Sequence, residues 1–359
     1  MQEIPFFDAR AAYAAQADVF DAAFRTVLGS GSLILGPEVA AFEAEFARWC
    51  GAGHALGVAS GTDAIELALR ALDLPAGSEV VCPNITATAS CAGILRAGLA
   101  PVIVDVDPVT LTLDAARTAE AIGERTAAIL AVHLYGRAAP VAGLTALGIP
   151  VIEDVAQAHG LDVDGRPAGS TGVLGCFSFY PTKNLGAFGD GGAVVTSSPE
   201  LAARVRLLRT YGQDPVAYAL EPGLNSRLDE LQAAFLRVRL HTLDAENARR
   251  HAIAQAYDEA LGRPSVPGVN HLYVVRSTRR DELQRHLAEA GIGTGIHYAW
   301  TLDQQPAYAG CRRGGALGVS TRAVTEILSL PCHAFLSDGA VERVAAQLAA
   351  ARGLVDGGS

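Results

Sequence analysis

The stretch Ser178-Phe179-Tyr180-Pro181-Thr182-Lys183-Asn184-Leu185-Gly186-Ala187-Phe188-Gly189-Asp190-Gly191-Gly192 decides how this chain is read. It sets one lysine in a glycine-rich loop between two short apolar runs, residues 173–180 and 192–196. Both runs are rich in β-branched and aromatic residues and bounded by turn formers, which predicts strands. A lysine there sits at the end of a sheet rather than on a solvated helix face. Taken alone, it reads as a surface residue in a flexible loop. Upstream, Val151-Ile152-Glu153-Asp154-Val155-Ala156-Gln157 puts an acid, Asp154, at the close of another predicted strand. Asp154 taken alone reads as a helix cap, and Glu153 beside it should point to the opposite face. Read together, the two residues suggest chemistry.

An acid able to hold a ring nitrogen and a lysine able to form an imine are what a pyridoxal 5'-phosphate site requires. The rest of the chain is compatible with such a site. Its 359 residues exceed one typical core, which predicts two domains, residues 1–240 and 241–359. Half of the residues are hydrophobic and 18% are charged, enough for a large buried core. A net charge of −10 argues against a nucleic-acid surface. The cysteines Cys50, Cys82, Cys91, Cys176, Cys311 and Cys332 are scattered and form no Cys-x-x-Cys pair, so neither a metal site nor a disulfide framework is expected. Met1-Gln2-Glu3-Ile4-Pro5 lacks the basic and apolar regions of a signal peptide, and no apolar run approaches membrane-spanning length, which makes the cytoplasm the expected compartment.

Strands predicted at 55–59, 79–82, 102–106, 127–133 and 150–154 alternate with helices at 62–72, 86–97, 114–122 and near 141–147. That alternation predicts an α/β fold with a mostly parallel sheet sandwiched by helices. Gly36-Pro37 opens a helix with Val39, Phe42, Phe46 and Trp49 on one face. Leu228, Leu231, Phe235 and Val238 begin a long helix predicted to extend to Leu261. A smaller α+β unit follows, with strands at 272–275 and 292–298 and helices at 281–290 and 339–351.

Four blocks fall in order along the chain: Ala59-Ser60-Gly61-Thr62-Asp63-Ala64, Glu153-Asp154-Val155-Ala156-Gln157-Ala158-His159-Gly160, the Lys183 loop, and Gly223-Leu224-Asn225-Ser226-Arg227-Leu228-Asp229-Glu230-Leu231-Gln232-Ala233-Ala234. Together they resemble the nucleotide-sugar aminotransferases of the DegT–StrS group, a branch of the fold type I, aspartate-aminotransferase-like pyridoxal phosphate enzymes. The likeness runs from about residue 4 to residue 344. It implies that Lys183 holds the cofactor covalently, that Asp154 pairs with its pyridinium nitrogen, and that Gln157 lies beside its ring hydroxyl. Gly61 and Thr62 open a helix directly after a strand, where exposed amides and the helix dipole favour an anion. By resemblance Ser178 donates to the cofactor phosphate, and Asn225 reaches it from the neighbouring subunit of a homodimer. His297 and Tyr298 match a segment near the sugar-nucleotide entrance, with Tyr308 further on. Tyr211 and Arg227 fit either substrate contacts or the dimer interface. His133 and His159 either flank the site or are packed in the core.

Three departures stand out. Ala87 occupies a position where the family usually carries an aromatic that stacks on the cofactor. The link 262–271 is short and has Asn270 near a family aromatic. Asp303 stands where relatives often have histidine. The resemblance implies transfer of an amino group from glutamate to a keto-sugar nucleotide, closest to dTDP-linked 3-keto-6-deoxyhexoses. Sugar dehydratases of the same fold replace the lysine with histidine, so Lys183 argues against that alternative. A non-catalytic cofactor-binding sensor is the other alternative, supported only by Ala87 and the trimmed link.

Overall fold

A computed structural model describes residues 3–356. Met1 and Gln2 of the amino-terminal reading, and 357–359 of the predicted second unit, lie outside the described residues. The strands are β1 His54–Val58, β2 Glu79–Pro83, β3 Ala100–Val104, β4 Thr126–Val132, β5 Val151–Asp154, β6 Asp162–Val163, β7 Arg166–Pro167, β8 Leu174–Ser178, β9 Gly192–Thr196, β10 Tyr273–Arg276, β11 Arg312–Arg313 and β12 Ile327–Leu330. Eight of them form one sheet in the order β1-β9-β8-β5-β4-β2-β3-β11. β9 runs antiparallel to both β1 and β8, and the other neighbours are parallel. The mixed, mostly parallel α/β architecture agrees with the expectation from sequence.

Burial on both faces explains the near-continuous apolar runs. Val80, Cys82 and Ile152 enter one core with the helix Gly61–Ala71, whereas Val81 and Val151 enter a second core with Val39, Phe42 and Phe46 of the helix Pro37–Trp49. A third core gathers Tyr257, Leu261, Val275, Leu287, Leu328 and Val344 around the two-stranded β10–β12 sheet, and Ile4 joins it. Among the described residues, no helix is long and apolar enough to cross a membrane, and no group of three or more His, Cys, Asp or Glu could hold a metal ion.

Two expectations are corrected. The long helix is broken at His241-Thr242 into Glu230–Leu240 and Leu243–Leu261. Of its apolar stripe only Leu228 is buried: Leu231, Phe235 and Val238 are partly covered, and Ala233, Ala234, Leu236 and Leu240 are the buried apolar residues of the helix face. Phe235 instead meets Phe20 and Phe188 edge-on, at 5.9 and 5.4 Å between ring centroids. The predicted strand over 292–298 does not form. Only the isolated bridges Ile4↔Ile292 and Gly295↔Ser329 occur there. Gly293 and Gly295 interrupt the apolar pattern, and glycine weakens a strand interior.

Candidate active site

Open α/β sheets place ligand sites beyond the carboxyl ends of their parallel strands, and Asp154 is the last residue of β5. Its carboxylate is 5% exposed. Ser90 Oγ donates to Oδ2 at 2.9 Å, and the Ala156 N–H donates to Oδ1 at 3.1 Å. Burial raises the Asp154 carboxyl above its ordinary range, against the pull of these donors and of Lys183. Ser90 was not anticipated from sequence. It belongs to the helix Thr88–Arg96, and its hydroxyl also meets that of Thr86 at 2.9 Å.

Lys183 lies on the connection from β8 to β9, whose ends are paired through Ser178↔Gly192. The Lys183 N–H donates to the Tyr180 carbonyl at 2.8 Å. Burial pushes its ammonium down to about 8, with the Asp154 charge acting in the opposite direction. Lys183, Gln157, His297 and Tyr298 line one cavity of about 350 Å³, together with Phe6 and His271. Gln157 crosslinks this wall: its Oε1 accepts the Tyr135 N–H at 2.6 Å, and its Nε2 donates to the Tyr298 hydroxyl at 2.9 Å. Burial, and then the Asp154 charge, raise the Tyr298 hydroxyl well above its ordinary value, so it stays protonated. His297 stacks on Phe6 at 5.3 Å and meets Ser329 Oγ through Nδ1 at 3.0 Å. His271 comes from the short link and faces Asn184, the neighbour of Lys183, at 3.1 Å.

Gly61 and Thr62 open the helix that Ser60 caps by accepting the Asp63 N–H at 3.1 Å. A Cβ at Gly61 would stand 2.6 Å from the Ser178 Cβ, so only glycine permits this approach. Gly61, Thr62 and Ser178 therefore meet at one point, where two helix amides precede the first intrahelical bond.

Asn225, Tyr211 and Arg227 do not line the cavity of their own chain. Asn225 is exposed and bridged to Thr210. Tyr211 is 46% exposed, and the Arg227 guanidinium lies 5.9 Å from its ring centroid. The adjacent Ser226 ties this strap to the Gly61 helix by donating to Asp63 Oδ2 at 2.7 Å and accepting the Ala59 N–H at 3.0 Å.

The two uncertain histidines are packed away from the cavity. His133 Nδ1 accepts the Ala139 N–H at 3.0 Å, which leaves Nε2 to donate to Glu153 Oε2 at 2.9 Å. Glu153 also accepts the N–H groups of Gly169, Thr171 and Gly172 at 3.0, 2.9 and 2.7 Å. Burial opposes its ionisation, but these bonds and His133 prevail and hold it below its ordinary value. His159 is buried beside Phe177 and Phe179. Ala87 is the N-cap residue of the Thr88–Arg96 helix and makes no side-chain cap. Asp303 accepts from Thr301 Oγ1 at 2.7 Å and pairs with Arg313 at 3.1 Å. Tyr308 is half-buried and does not line the Lys183 cavity.

A profile described as the DegT/DnrJ/EryC1/StrS aminotransferase family matches residues 15–349. The chain belongs to this family. It is 46% identical over 365 residues to the erythromycin biosynthesis sensory transduction protein EryC1 of Saccharopolyspora erythraea, covering 97% of this chain and 99% of that one. It is also 46% identical over 343 residues to the dTDP-3-amino-3,4,6-trideoxy-alpha-D-glucose transaminase of Streptomyces venezuelae, covering 91% and 90%. The solved S. venezuelae DesV in complex with a ketimine intermediate matches with a TM-score of 0.94 at 43% identity, over 99% of this chain and 100% of that chain. NtdA from Bacillus subtilis, solved with bound cofactor PMP, matches at 0.90 and 27% identity, over 98% of this chain and 86% of that chain. These relatives group the chain with the sugar aminotransferases of the family, on the fold type I scaffold.

Proposed function

We propose that this chain works as a homodimeric transaminase that moves an amino group from glutamate to a keto-sugar nucleotide, using pyridoxal 5'-phosphate at Lys183. The carrying observation is that Lys183, its ammonium depressed to about 8, feels the charge of the buried Asp154 and shares a cavity with Gln157 and Tyr298. The cofactor fits the residues present. Asp154 is an acid held in place by Ser90, suited to a cationic ring nitrogen. The Gly61–Ser178 contact and the helix amides beside it suit a phosphate. When bound, pyridoxal phosphate supplies the electron sink that lets an amino group change carbon atoms.

The protein's own groups divide the remaining work. Lys183, as a free amine, would take and return a proton, a role worth about 10²–10⁴ in rate. Asp154 would hold the ring nitrogen of the bound group. Gln157 holds Tyr298 and the Tyr135 backbone in register. Asn225, exposed and outside the cavity, is assigned to the partner's phosphate, with Tyr211 and Arg227 beside it on the shared face.

The dTDP-3-amino-3,4,6-trideoxy-alpha-D-glucose transaminase relative supports a dTDP-linked 3-keto-6-deoxyhexose acceptor. The relative EryC1, named as a sensory transduction protein, supports the sensor as the second reading. Lys183 and Asp154 favour catalysis, because cofactor retention alone needs no proton shuttle. The discriminating experiment is to purify the protein, add L-glutamate, and follow its visible absorbance. Bleaching, with 2-oxoglutarate released and an aminated sugar nucleotide detected by mass from a panel of keto sugars, is the expected result. An absorbance that never responds to any amino donor would sink the reading in favour of the sensor.

A further inference from the structure

Arg250 is a charged member of the Lys183 cavity that no role above uses. It lies on the helix Leu243–Leu261 and is 3% exposed. Its Nη1 donates to the Cys332 carbonyl at 2.6 Å. Its Nε is buried without an acceptor. Among the described residues, no carboxylate stands within ion-pair range of this guanidinium: Glu246, one turn away, is engaged by Arg239 at 2.7 Å. Burial lowers the Arg250 guanidinium below its ordinary value, yet arginine stays charged in proteins. A buried charge without a counter-charge is costly, so this corner is incomplete as the chain alone builds it.

The neighbouring groups offer no anion. Burial brings His333 down to about 4, and burial followed by the Lys183 charge lowers His271 and His297, so these imidazoles are neutral near pH 7. His333 follows Cys332 and has both ring nitrogens buried without a partner, which offers an anion a second hydrogen bond. Arg250 is thus the fixed cation of a small cavity that Lys183 also lines.

We propose that Arg250 is the carboxylate-binding residue of the amino-donor subsite, pairing through its Nε–Nη2 edge with one carboxylate of glutamate. This rests on the transaminase reading given above. The guanidinium edge matches a carboxylate in two parallel hydrogen bonds. The location fits the donor better than the acceptor. A sugar nucleotide carries its negative charge on a diphosphate well removed from the keto carbon. Glutamate carries a carboxylate on the same carbon as the amine that must reach Lys183.

The test uses the cofactor-loaded protein and compares wild type with Arg250→Met and Arg250→Lys. The donor half-reaction is read as loss of visible absorbance with L-glutamate, with L-glutamine, and with 4-aminobutyrate, which lacks the α-carboxylate. In Arg250→Met the half-saturating L-glutamate should rise about 30-fold or more, and less in Arg250→Lys, which keeps the charge and loses the fork. Removing the contacted carboxylate should weaken the wild type and leave Arg250→Met unaffected, as coupled groups behave in a double-mutant cycle. Half-saturation by the keto-sugar nucleotide should stay within about twofold of wild type.

Binding of glutarate, an inert dicarboxylate, measured by calorimetry gives a readout apart from turnover and should be lost in Arg250→Met and weakened in Arg250→Lys. Should Arg250→Met fail to fold, Arg250→Lys and the glutarate titration carry the test. Equal weakening toward all three donors, unchanged glutamate saturation, retained glutarate binding, or a loss confined to the acceptor side overturns the assignment. Wild-type protein without any visible band overturns the transaminase reading and this proposal together. A band bleached by glutamate equally in wild type and variants overturns the role of Arg250 alone.

Discussion

The Lys183 cavity and the strap carrying Tyr211, Asn225 and Arg227 were both marked by sequence blocks, yet they are built in opposite ways. The cavity draws its walls from residues as distant as Phe6, Gln157, His297 and His333, burying Gln157 and His333 and partly covering the other two. The strap is held at its root by Ser226 and leaves Asn225 and Tyr211 on the surface. A sheet collects side chains within one chain at its strand ends. An exposed strap gains a site only where another molecule covers it. The difference teaches which contacts a single chain can supply and which wait for assembly.

The largest break in this comparison is Lys183→Ala. It should lower transamination by at least about 10³-fold and abolish borohydride trapping at residue 183, checked by peptide mass mapping. Trapping at another position would remove the cavity from the mechanism. Asp154→Asn comes next. Loss of one partner of a buried ion pair costs about 3–5 kcal/mol, or about 150- to 5,000-fold in rate, while the visible band persists because Lys183 is intact.

A smaller, graded effect is pH dependence. The attacking form of Lys183 is its neutral amine, and its ammonium titrates at about 8. Covalent capture of cofactor by the apo-protein should therefore accelerate about tenfold per pH unit below that point and level off above it. Stopped-flow absorbance checks this, and a flat profile from pH 6 to 9 would contradict the buried environment of the amine. The smallest signal concerns the strap. Lys183→Ala and Asn225→Ala proteins, each impaired, should regain about a quarter of wild-type activity when unfolded and refolded together in equal amounts, since half of the dimers would then hold one intact site. No gain on mixing would confine Asn225 to its own chain.

Much of the cavity was legible because its central residues lie at the ends of strongly patterned strands. Lys183 and Asp154 follow apolar runs whose burial on both faces leaves little freedom in where the next residue goes. Gly61 was legible as a helix start, though its contact with Ser178 depends on the crossing of two elements that no local pattern encodes. Ser90, Arg250 and His333 were missed for a different reason. Each sits in a segment with an ordinary structural reading, and each gains meaning only from what the fold sets opposite it. The spacing Thr86 to Ser90, one helical turn, was the one local signal for the hydroxyl pair behind Asp154. The misread strand at 292–298 and the misread stripe at Leu231, Phe235 and Val238 share a cause: apolar periodicity reports a face that wants cover and does not say what covers it.

The pairing of Ile4 with Ile292 has a consequence for biogenesis. The Ile4 N–H donates to Gly291 and its carbonyl accepts from Gly293, each at 2.9 Å, and this seats Phe6 against His297. A nascent chain presents Ile4 long before the segment that receives it has been translated. Ile4 is thus made well before residues 291–293 and docks only once they have followed.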